Sequence, residues 1–241
     1  MISAVIPVYN EANCVDASVE AVSAVLRELV GDDWEIVLVD DGGDDGTGEL
    51  IDGLAAADPH FVACHHETNQ GKGAAVRTGV MATRGEMVMF CDADQSTPAE
   101  TLKEFVAAMN DGADVVVGNR KSPEANIERW QPAVRTWLGL GFTRLANAMT
   151  GLTISDYTCG FKLFKGDLAR AVFAATTTRR WAFDVEVLAR AVQRGCSVQE
   201  IPISWKHVSD TRVRLARDVI GSFVELLGIR RRLRAERSPK R

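Results

Sequence analysis

The sequence predicts an α/β domain in which helices flank a mainly parallel sheet. Two observations indicate this fold class: in the first half of the chain short apolar runs alternate with segments of helical period, and several runs end in polar clusters. A helix between consecutive strands keeps them parallel, so their carboxyl ends lie along one edge of the sheet. With 241 residues and 46% hydrophobic content, the chain can bury a large core.

Five apolar runs have the length of buried strands, and they lie at residues 3–9, 35–40, 61–66, 86–92 and 114–119. Segments with helical period separate them, at roughly 12–30, 46–56, 72–83 and 98–110. The last of these segments has a good helix start, since Pro98 follows Ser96 and Thr97 and Glu100 comes soon after. The regular alternation is what predicts parallel strands.

The second half of the chain has a different pattern. Residues 128–154 carry an apolar stripe at helical spacing, with Arg129, Arg135 and Arg144 at its flanks. The stripe comprises Trp130, Val134, Trp137, Leu138, Gly141, Leu145 and Met149. Core packing is the usual role of such a stripe and is our expectation, whereas its Trp and Arg content favours the alternative of a helix on a membrane interface. The elements that we predict beyond it are a turn and strand at 155–164, a helix near 183–194, a strand at 198–207 and an amphipathic helix from about 212.

Composition and charge narrow the classes of function. No stretch approaches the roughly 18 apolar residues of a membrane-spanning helix, and the amino terminus lacks a secretory signal, so we expect a cytoplasmic protein. The five cysteines form no C-x-x-C pair and no cluster that would hold zinc. The net charge of −5 conceals a basic end, with 11 Lys and Arg against 4 Asp and Glu from Lys206 onward. This end predicts an anionic partner such as a lipid surface, a phosphate or nucleic acid, with a solvated tail as the plainer interpretation.

Three predicted strands end in polar clusters, which are Tyr9-Asn10-Glu11, Asp40-Asp41 and Asp92-Ala93-Asp94. We expect these clusters to meet at one edge of the sheet and to form an acidic pocket. Asp92 and Asp94 are one residue apart, and two close carboxylates repel each other unless a cation joins them. Because hard divalent ions prefer oxygen ligands, the pair predicts a Mg²⁺ or Mn²⁺ site that reaches a nucleotide through its phosphates.

A glycine-flanked lysine, Gly71-Lys72-Gly73, begins one of the predicted helices. It does not match a phosphate-binding P-loop, which requires Gly where His66 stands and Ser or Thr where Gly73 stands. It also fails the dinucleotide-binding pattern, which requires Gly or Ala at Val76. Backbone donors and a cation at a helix start can still bind an anion or a polar ring.

Eight blocks of sequence, in order along most of the chain, resemble the family 2 glycosyltransferases, and within them the polyprenyl-phosphate (dolichyl-phosphate) hexose synthases. The blocks are VIPVYNE (5–11), VDDGGDDGT (39–47), NQGKGAAVRTG (69–79), CDADQSTP (91–98), VVGNR (116–120), SDYTCGFKLF (155–164), WAFDVEVL (181–188) and IPISWKHVSDTRVRLARD (201–218). The resemblance implies a GT-A type fold with a C-terminal acceptor-binding portion of helices and strands. It further implies a nucleotide-sugar-binding half at 1–120, an acceptor-binding half of the same domain at 121–228 and a basic tail at 229–241.

Matching motifs carry the family's residue roles onto this chain. The residues that the resemblance places around the donor nucleotide are Pro7, Tyr9, Glu11, Asp40, Lys72 and Asp92. Asp92 and Asp94 correspond to the family's metal-binding DxD motif, with Asp94 the direct ligand and Asp92 reaching the sugar nucleotide or the metal; together with Arg120 they are the expected catalytic residues. The acceptor side comprises Arg120, Arg135, Lys206 and Arg212.

The resemblance implies a metal-dependent hexosyltransferase that inverts the anomeric centre and moves a hexose to polyprenyl phosphate. WAFDVE and SWKHV are more similar to the glucose synthases than to the mannose synthases, which favours UDP-glucose over GDP-mannose. A lipid phosphate is largely ionised near neutral pH, so this reaction needs no strong general base. The expected location is peripheral, on the cytoplasmic face of a membrane. We expect no nucleic-acid partner, and a membrane protein is a further candidate partner.

Several positions depart from the family pattern. Gly43 replaces the usual Ser of the DDGS block, SDTR (209–212) replaces the usual GSK, and Gln95 is not assigned as a ligand. The Gln-x-x-Arg-Trp motif of processive synthases is incomplete, because Thr177 stands where Gln is required. Three alternatives stay open. The first is a dolichyl-phosphate mannose synthase that uses GDP-mannose, and the second is a transferase to a soluble or lipid-linked sugar, with Asp156 as the candidate base. The third is a noncatalytic nucleotide-sugar-binding adaptor at the membrane.

Overall fold

A computed structural model describes residues 1–130, 132–208 and 215–237, together with all their side chains except those of residues 135, 215–220 and 237. The strands are β1 (Ile2–Val8), β2 (Trp34–Asp40), β3 (Phe61–His65), β4 (Met87–Phe90), β5 (Val115–Asn119), β6 (Asn126–Arg129), β7 (Lys162–Lys165), β8 (Val198–Pro202) and β9 (Ser204–Lys206). The helices are α1 (Val15–Val30), α2 (Thr47–Ala57), α3 (Lys72–Ala82), α4 (Thr101–Asn110), α5 (Ala133–Thr150), α6 (Gly166–Ala175), α7 (Phe183–Gln193) and α8 (Leu215–Arg237).

Seven strands form the central sheet in the order β3-β2-β1-β4-β7-β5-β8. The contacts of β1 with β2 and β4, of β2 with β3 and of β5 with β8 are parallel, whereas β7 runs antiparallel between β4 and β5. The predicted α/β fold with a mainly parallel sheet is therefore confirmed, and the five strands predicted in the first half lie within a few residues of the observed ones.

The core lies on both faces of this sheet. Successive residues of β1 alternate between the faces, so that Val5 packs into one cluster while Ala4 and Ile6 pack into the other. The first cluster is covered by α3, α5, α6, α7 and α8, and the second by α1, α2 and α4. Burial on both faces explains why the strands are continuous apolar runs without polar alternation.

Chain from the second half completes the same sheet and adds a small one. The run predicted as one strand at 198–207 is divided into β8, which joins β5, and β9, which pairs in parallel with β6. The predicted turn and strand at 155–164 is confirmed as a turn followed by β7. The binding edge is therefore bordered by chain from both halves.

Helix α5 does not bury the face that the apolar stripe predicts. Trp130 (71%), Trp137 (72%) and Val134 (59%) are exposed. The buried apolar side chains among those described in α5 are Phe142 and Ala146, on the opposite side of the helix. The expectation of core packing is wrong for these three residues because α5 has apolar side chains on two faces and the core covers only one.

Helix α8 continues past the predicted start of the basic tail at residue 229. Ile229 and Leu233 are buried in the core beside α7, so the tail boundary does not coincide with an end of this helix. Of the helices in the described part of the chain, none is long and apolar enough to cross a membrane.

Candidate active site

The polar clusters meet at the carboxyl edge of the sheet because their strands are neighbours. β1 lies between β2 and β4, so Tyr9 after β1, Asp40 at the end of β2 and Asp92 after β4 are at the ends of three adjacent strands. Parallel strands in consecutive register bring such residues to one crevice. The predicted convergence of the three strand ends is thus observed.

The loops after β1 and β2 are joined into one wall. Asn10 and Asp44 exchange two hydrogen bonds, the Asn10 amide donating to Asp44 (3.0 Å) and the Asp44 backbone N–H donating to Asn10 (2.8 Å). The Glu11 N–H donates to Thr47 Oγ1 (2.9 Å). Of the residues expected around the nucleotide, Pro7 is in β1, Tyr9 is partly exposed, and Glu11 lies beside this junction.

The local structure explains why glycine, and not the usual serine, fits at residue 43. A Cβ atom at this position would lie 2.6 Å from Asn10 Oδ1. The Gly43 N–H donates to Asp40 Oδ1 (2.9 Å), which holds this largely buried carboxylate at the end of β2. A side chain at residue 43 would therefore require Asn10 to move away from Asp44.

Asp41 does not share the pocket with Asp40. One of its oxygens accepts from the ring of His66 (2.6 Å) and from the Gln70 N–H (2.9 Å), and the other accepts from the Gly71 N–H (2.8 Å). These bonds hold the turn that precedes Lys72. The expectation that both aspartates line the acidic pocket is wrong for Asp41, because its carboxylate accepts hydrogen bonds from the backbone of the next loop.

Asp92 lies directly against Lys72. The Lys72 ammonium forms an ion pair with the Asp92 carboxylate, and it also lies 5.7 Å from the ring centroid of Trp181. Burial by itself lowers the pKa of Lys72, but the carboxylates of Asp92 and Asp184 outweigh this effect and raise it, so the lysine stays charged. Two of the residues expected around the donor nucleotide are therefore brought together.

Asp94 belongs to a short turn in which the next residue, Gln95, has a left-handed backbone conformation. Gln95 has a φ of 51°, and the Ser96 N–H donates to Asp94 Oδ1 (2.9 Å). Asp94 is exposed and Asp92 partly exposed, so both remain open to a ligand from the crevice. This fits loop carboxylates that carry little of the fold.

Gly160 is a site residue that sequence reasoning missed. A Cβ atom on Gly160 would lie 1.9 Å from Asp92 Oδ2, closer than any side chain tolerates. Gly160 belongs to the SDYTCGFKLF block that resembles the family. Its place in that block is the feature of the sequence that could have identified it as a site residue. Its lack of a side chain gives Asp92 the space that it occupies.

A second missed feature is a buried ion pair behind Lys72. Lys162 Nζ donates to Asp184 Oδ1 (2.6 Å) and to the Cys159 carbonyl (2.6 Å), and it lies over the ring of Phe90. Burial raises the pKa of Asp184 against the opposing effect of Lys162 and Lys72. Asp184 also raises the pKa of Lys72, so cationic and carboxylate side chains alternate through the site.

Arg120 is held rigidly on the other side of the crevice. Its Nε donates to Asp156 Oδ2 (2.7 Å) and its Nη2 donates to Asp156 Oδ1 (2.9 Å), and the guanidinium lies 5.4 Å from the centroid of Trp205. Burial would raise the pKa of Asp156, but the charge of Arg120 outweighs it and lowers the pKa to about 2. Asp92 is among the carboxylates that raise the pKa of Arg120, so the arginine lies within the electrostatic field of the acidic loop.

The remaining acceptor-side residues are described unequally. Lys206 is exposed in β9, and its backbone N–H donates to the carbonyl of Ser96 (2.9 Å), which ties it to the Asp94 turn. Arg135 lies in the first turn of α5, and its side chain is outside the described part of the chain. Arg212 lies outside the described residues altogether.

The donor set suits a hard divalent ion. Within residues 1–130, 132–208 and 215–237, no group of three or more His, Cys, Asp and Glu side chains is arranged to hold a metal. Asp92 and Asp94 supply carboxylate oxygens only, which is the chemistry that Mg²⁺ and Mn²⁺ accept when substrate phosphates and water complete the coordination. The residues therefore fit an ion that enters with a nucleotide.

Comparison with known sequences identifies a family for this chain. Residues 3–173 match the family model described as glycosyl transferase family 2. The chain is 32% identical over 222 residues to the dolichyl-phosphate beta-glucosyltransferase ALG5C of Trichomonas vaginalis, a match that covers 88% of this chain and 66% of that protein. It is also 32% identical over 248 residues to the dolichyl-phosphate beta-glucosyltransferase of Saccharomyces cerevisiae, covering 95% of this chain and 74% of the relative. The chain thus spans about two thirds to three quarters of the length of these relatives.

Solved structures support the fold. The glucosyl-3-phosphoglycerate synthase of Mycobacterium tuberculosis, crystallised with Mn²⁺, UDP and phosphoglyceric acid, superposes with a TM-score of 0.71 at 17% identity. The superposition covers 95% of this chain and 78% of that one. The expected GT-A type fold is confirmed by this likeness.

Proposed function

The chain belongs to glycosyl transferase family 2, and from that premise we propose that it is an inverting, metal-dependent hexosyltransferase that moves glucose from UDP-glucose to polyprenyl phosphate. The observation that carries the proposal is the meeting of Asp92 and Lys72 at the ends of adjacent elements, with Arg120 across the crevice and Asp94 open to it. A nucleotide-sugar donor and a phosphate acceptor both carry phosphate groups. Cationic side chains can bind these phosphates directly, and carboxylates can bind a divalent cation that neutralises them. The relatives named as dolichyl-phosphate beta-glucosyltransferases support glucose and a lipid phosphate as the substrates.

The donor nucleotide would lie across the ends of β1 and β2. The joined loops that carry Tyr9, Glu11 and Asp40 form a polar wall there, which suits a base and ribose. Pro7 is the residue before the last one of β1, and Lys72 at the start of α3 would contact the donor diphosphate. A helix start and an ammonium together favour an anion at this point.

Charge compensation is the chemistry that these residues perform. A divalent ion bound by Asp94 and Asp92 would neutralise the departing nucleoside diphosphate. Lys72 pairs with Asp92 in the structure, and when phosphate oxygens arrive its ammonium can donate to them while staying against the same carboxylate. The bond between the anomeric carbon and the diphosphate breaks as a phosphate oxygen of the acceptor bonds to the opposite face of that carbon, which gives the β-linked product.

Arg120 and Lys206 would hold the acceptor phosphate. Arg120 is fixed by Asp156 and Trp205, so its guanidinium needs no reordering when a phosphate binds. Lys206 is exposed one hydrogen bond away from the Asp94 turn. Arg135 and Arg212 remain proposed contributors to the same acceptor site.

The alternative of a sugar hydroxyl as acceptor lacks support from the described residues. Such an acceptor needs a general base, for which Asp156 was the candidate. Asp156 is fully buried, held by Arg120, and has a pKa of about 2, so it is a poor base near neutral pH. A phosphate acceptor, which arrives ionised, needs no such group.

The test compares Asp94→Asn with Glu104→Gln, an exposed carboxylate change on α4 that serves as the control. With polyprenyl phosphate, Mn²⁺ and UDP-glucose, we expect Asp94→Asn to lower the rate of glucosyl transfer by about a hundredfold or more and Glu104→Gln to leave it unchanged. Product mass, measured against a panel that includes GDP-mannose, identifies the donor. Transfer that persists in Asp94→Asn or in EDTA contradicts the metal assignment, and UDP-glucose binding without turnover supports the adaptor instead.

A further inference from the structure

We propose that Trp130, Val134 and Trp137, here called the tryptophan patch, insert into the interface of an anionic lipid bilayer and set the position of the active-site loop at the membrane surface. The proposal deepens the proposed function, and it rests on that function only for the lipid nature of the acceptor.

The patch is unusual in how much apolar surface it leaves in water. Trp130 and Trp137 are 71% and 72% exposed, and Val134 is 59% exposed. Val134 and Trp137 are three residues apart and so share one face of α5, while Phe142 and Ala146 bury the opposite face. Large apolar side chains grouped on one face mark a site of interaction, whereas isolated ones do not.

The chemistry around the patch selects a lipid surface as its partner. Trp is the residue that favours the boundary between lipid headgroups and acyl chains. From Glu128 to Ile154 the chain contains three arginines against one carboxylate, that of the exposed Glu128, and Arg129 and Arg144 are exposed. Apolar aromatic residues flanked by cations are complementary to an anionic bilayer, which attracts Arg side chains to its headgroups.

Helix α8 extends the same complementarity. It packs against α5 through the edge-to-face contact of Phe223 with Phe142, and it exposes Val224 and Leu227. Further along α8, Arg231 and Arg234 are exposed. Two adjacent helices therefore both present apolar and basic side chains to their surroundings.

A short series of hydrogen bonds connects the tryptophan patch to the active site. Trp130 directly follows β6, and the carbonyl of Arg129 in β6 accepts from the backbone N–H of His207, the residue after β9. Lys206 in β9 bonds in turn to Ser96, whose own N–H is bonded to Asp94. Insertion of the patch would thus place Lys206 and the Asp94 turn next to the headgroups, where the phosphate of a lipid acceptor lies.

The experiment measures binding of the full chain to vesicles of phosphatidylcholine, with and without about one third phosphatidylserine. The test variant is Trp130→Ala with Trp137→Ala, and the matched control is Leu50→Ala with Met81→Ala, which removes two exposed apolar side chains from α2 and α3. We expect the test variant to lose at least about tenfold in partition to the anionic vesicles and the control to lose less than about twofold. Thermal unfolding in solution verifies that both variants are folded.

Quenching of tryptophan fluorescence by lipids brominated on their acyl chains gives an independent measure. We expect the native chain to be quenched by the anionic vesicles and the Trp130→Phe, Trp137→Phe variant to lose most of that quenching, because Trp34 is buried and Trp181 and Trp205 are only partly exposed. Equal vesicle binding by the native chain and the alanine variant would overturn the proposal. A native dimer that the alanine variant converts to a monomer would also overturn it, since the patch would then be an interface between copies of the chain.

The two proposals can fail separately. Vesicle binding requires neither donor nor metal, so it is measured even if no glucosyl transfer is found. If transfer is found, the alanine variant should retain activity on a short, water-soluble polyprenyl phosphate while losing activity on the same phosphate embedded in vesicles. Equal loss on both acceptors would contradict a role for the patch in docking.

Discussion

Gly160 sets the position of Asp92 by having no side chain. Asp92 also pairs with Lys72, so the carboxylate is bounded by a cation on one side and by backbone on the other. A carboxylate that must meet both a nucleotide and a metal gains from this confinement, because positioning errors of about 1 Å are costly in catalysis.

We expect Gly160→Ala to lower the transfer rate at least about tenfold and the free energy of unfolding by about 1–3 kcal/mol, because the added methyl group must displace Asp92. Gly53→Ala is the control: Gly53 lies within α2, and a Cβ atom there meets nothing within 4 Å. This control should be stabilised by about 0.5–1 kcal/mol through helix propensity. Steady-state kinetics and urea unfolding measure both, and wild-type activity in Gly160→Ala would show that Asp92 has freedom to shift.

At the scale of elements, α8 supports the loop that carries Trp181. The buried carboxylate of Glu186 in α7 accepts from the Thr178 N–H (3.0 Å), from Arg190 (2.8 Å) and from Arg232 of α8 (3.0 Å). The same loop contacts the start of α3, where the Ala74 N–H donates to the Arg179 carbonyl (3.0 Å). The helix therefore stabilises the surroundings of Lys72 without touching the crevice itself.

We expect Arg232→Ala to lower the free energy of unfolding by about 1–3 kcal/mol, because it removes one of the two arginines that compensate the charge of the buried Glu186 carboxylate. The pKa of Glu186 should rise in this variant: burial raises it, and Arg232 is among the groups that lower it in the native chain. Arg231→Ala, a change of the exposed neighbour, should alter stability by less than about 0.5 kcal/mol. Urea unfolding in solution compares the two, and equal effects would mean that the network with Glu186 contributes little.

At the scale of the whole molecule, a buried ion pair joins the two halves of the chain on the acceptor side of the crevice. Arg120 follows β5 and Asp156 precedes β7, and their contact lies where these strands meet the acceptor-side loops. Such pairs make the stability of the fold depend on pH, since the carboxylate must stay ionised for the arginine to remain compensated.

The sign of that dependence follows from the lowered pKa of Asp156, which is about 2 in the folded chain. A carboxylate with a depressed folded-state pKa stabilises fully above its unfolded value of about 4 and loses its contribution as the pH falls through about 2. We expect Asp156→Asn to be less stable than the native chain by about 2 kcal/mol or more at pH 7, with the difference shrinking between pH 4 and pH 2. Urea titrations across this range measure it, and a difference that does not change with pH would contradict the assignment.

Local patterns in the sequence were enough to predict the strands, the helices between them and the meeting of Asp40 and Asp92 at one edge. Continuous apolar runs can be buried only inside a sheet covered on both faces, and parallel strands must end on the same side. The blocks that identify the family are likewise short and local. The antiparallel insertion of β7 between β4 and β5 was not predicted, because no local pattern records which strands become neighbours.

Only the tertiary structure decided which surfaces meet. Helix α5 is apolar on two faces, and packing against α8 and the core buried Phe142 and left Trp137 in solvent. In the same way, Asp41 was taken up by the turn before Lys72, and Gly160 was placed against Asp92 from far along the chain. Periodicity states that a side chain can be buried or bonded, whereas the partner that it finds depends on contacts between residues distant in sequence.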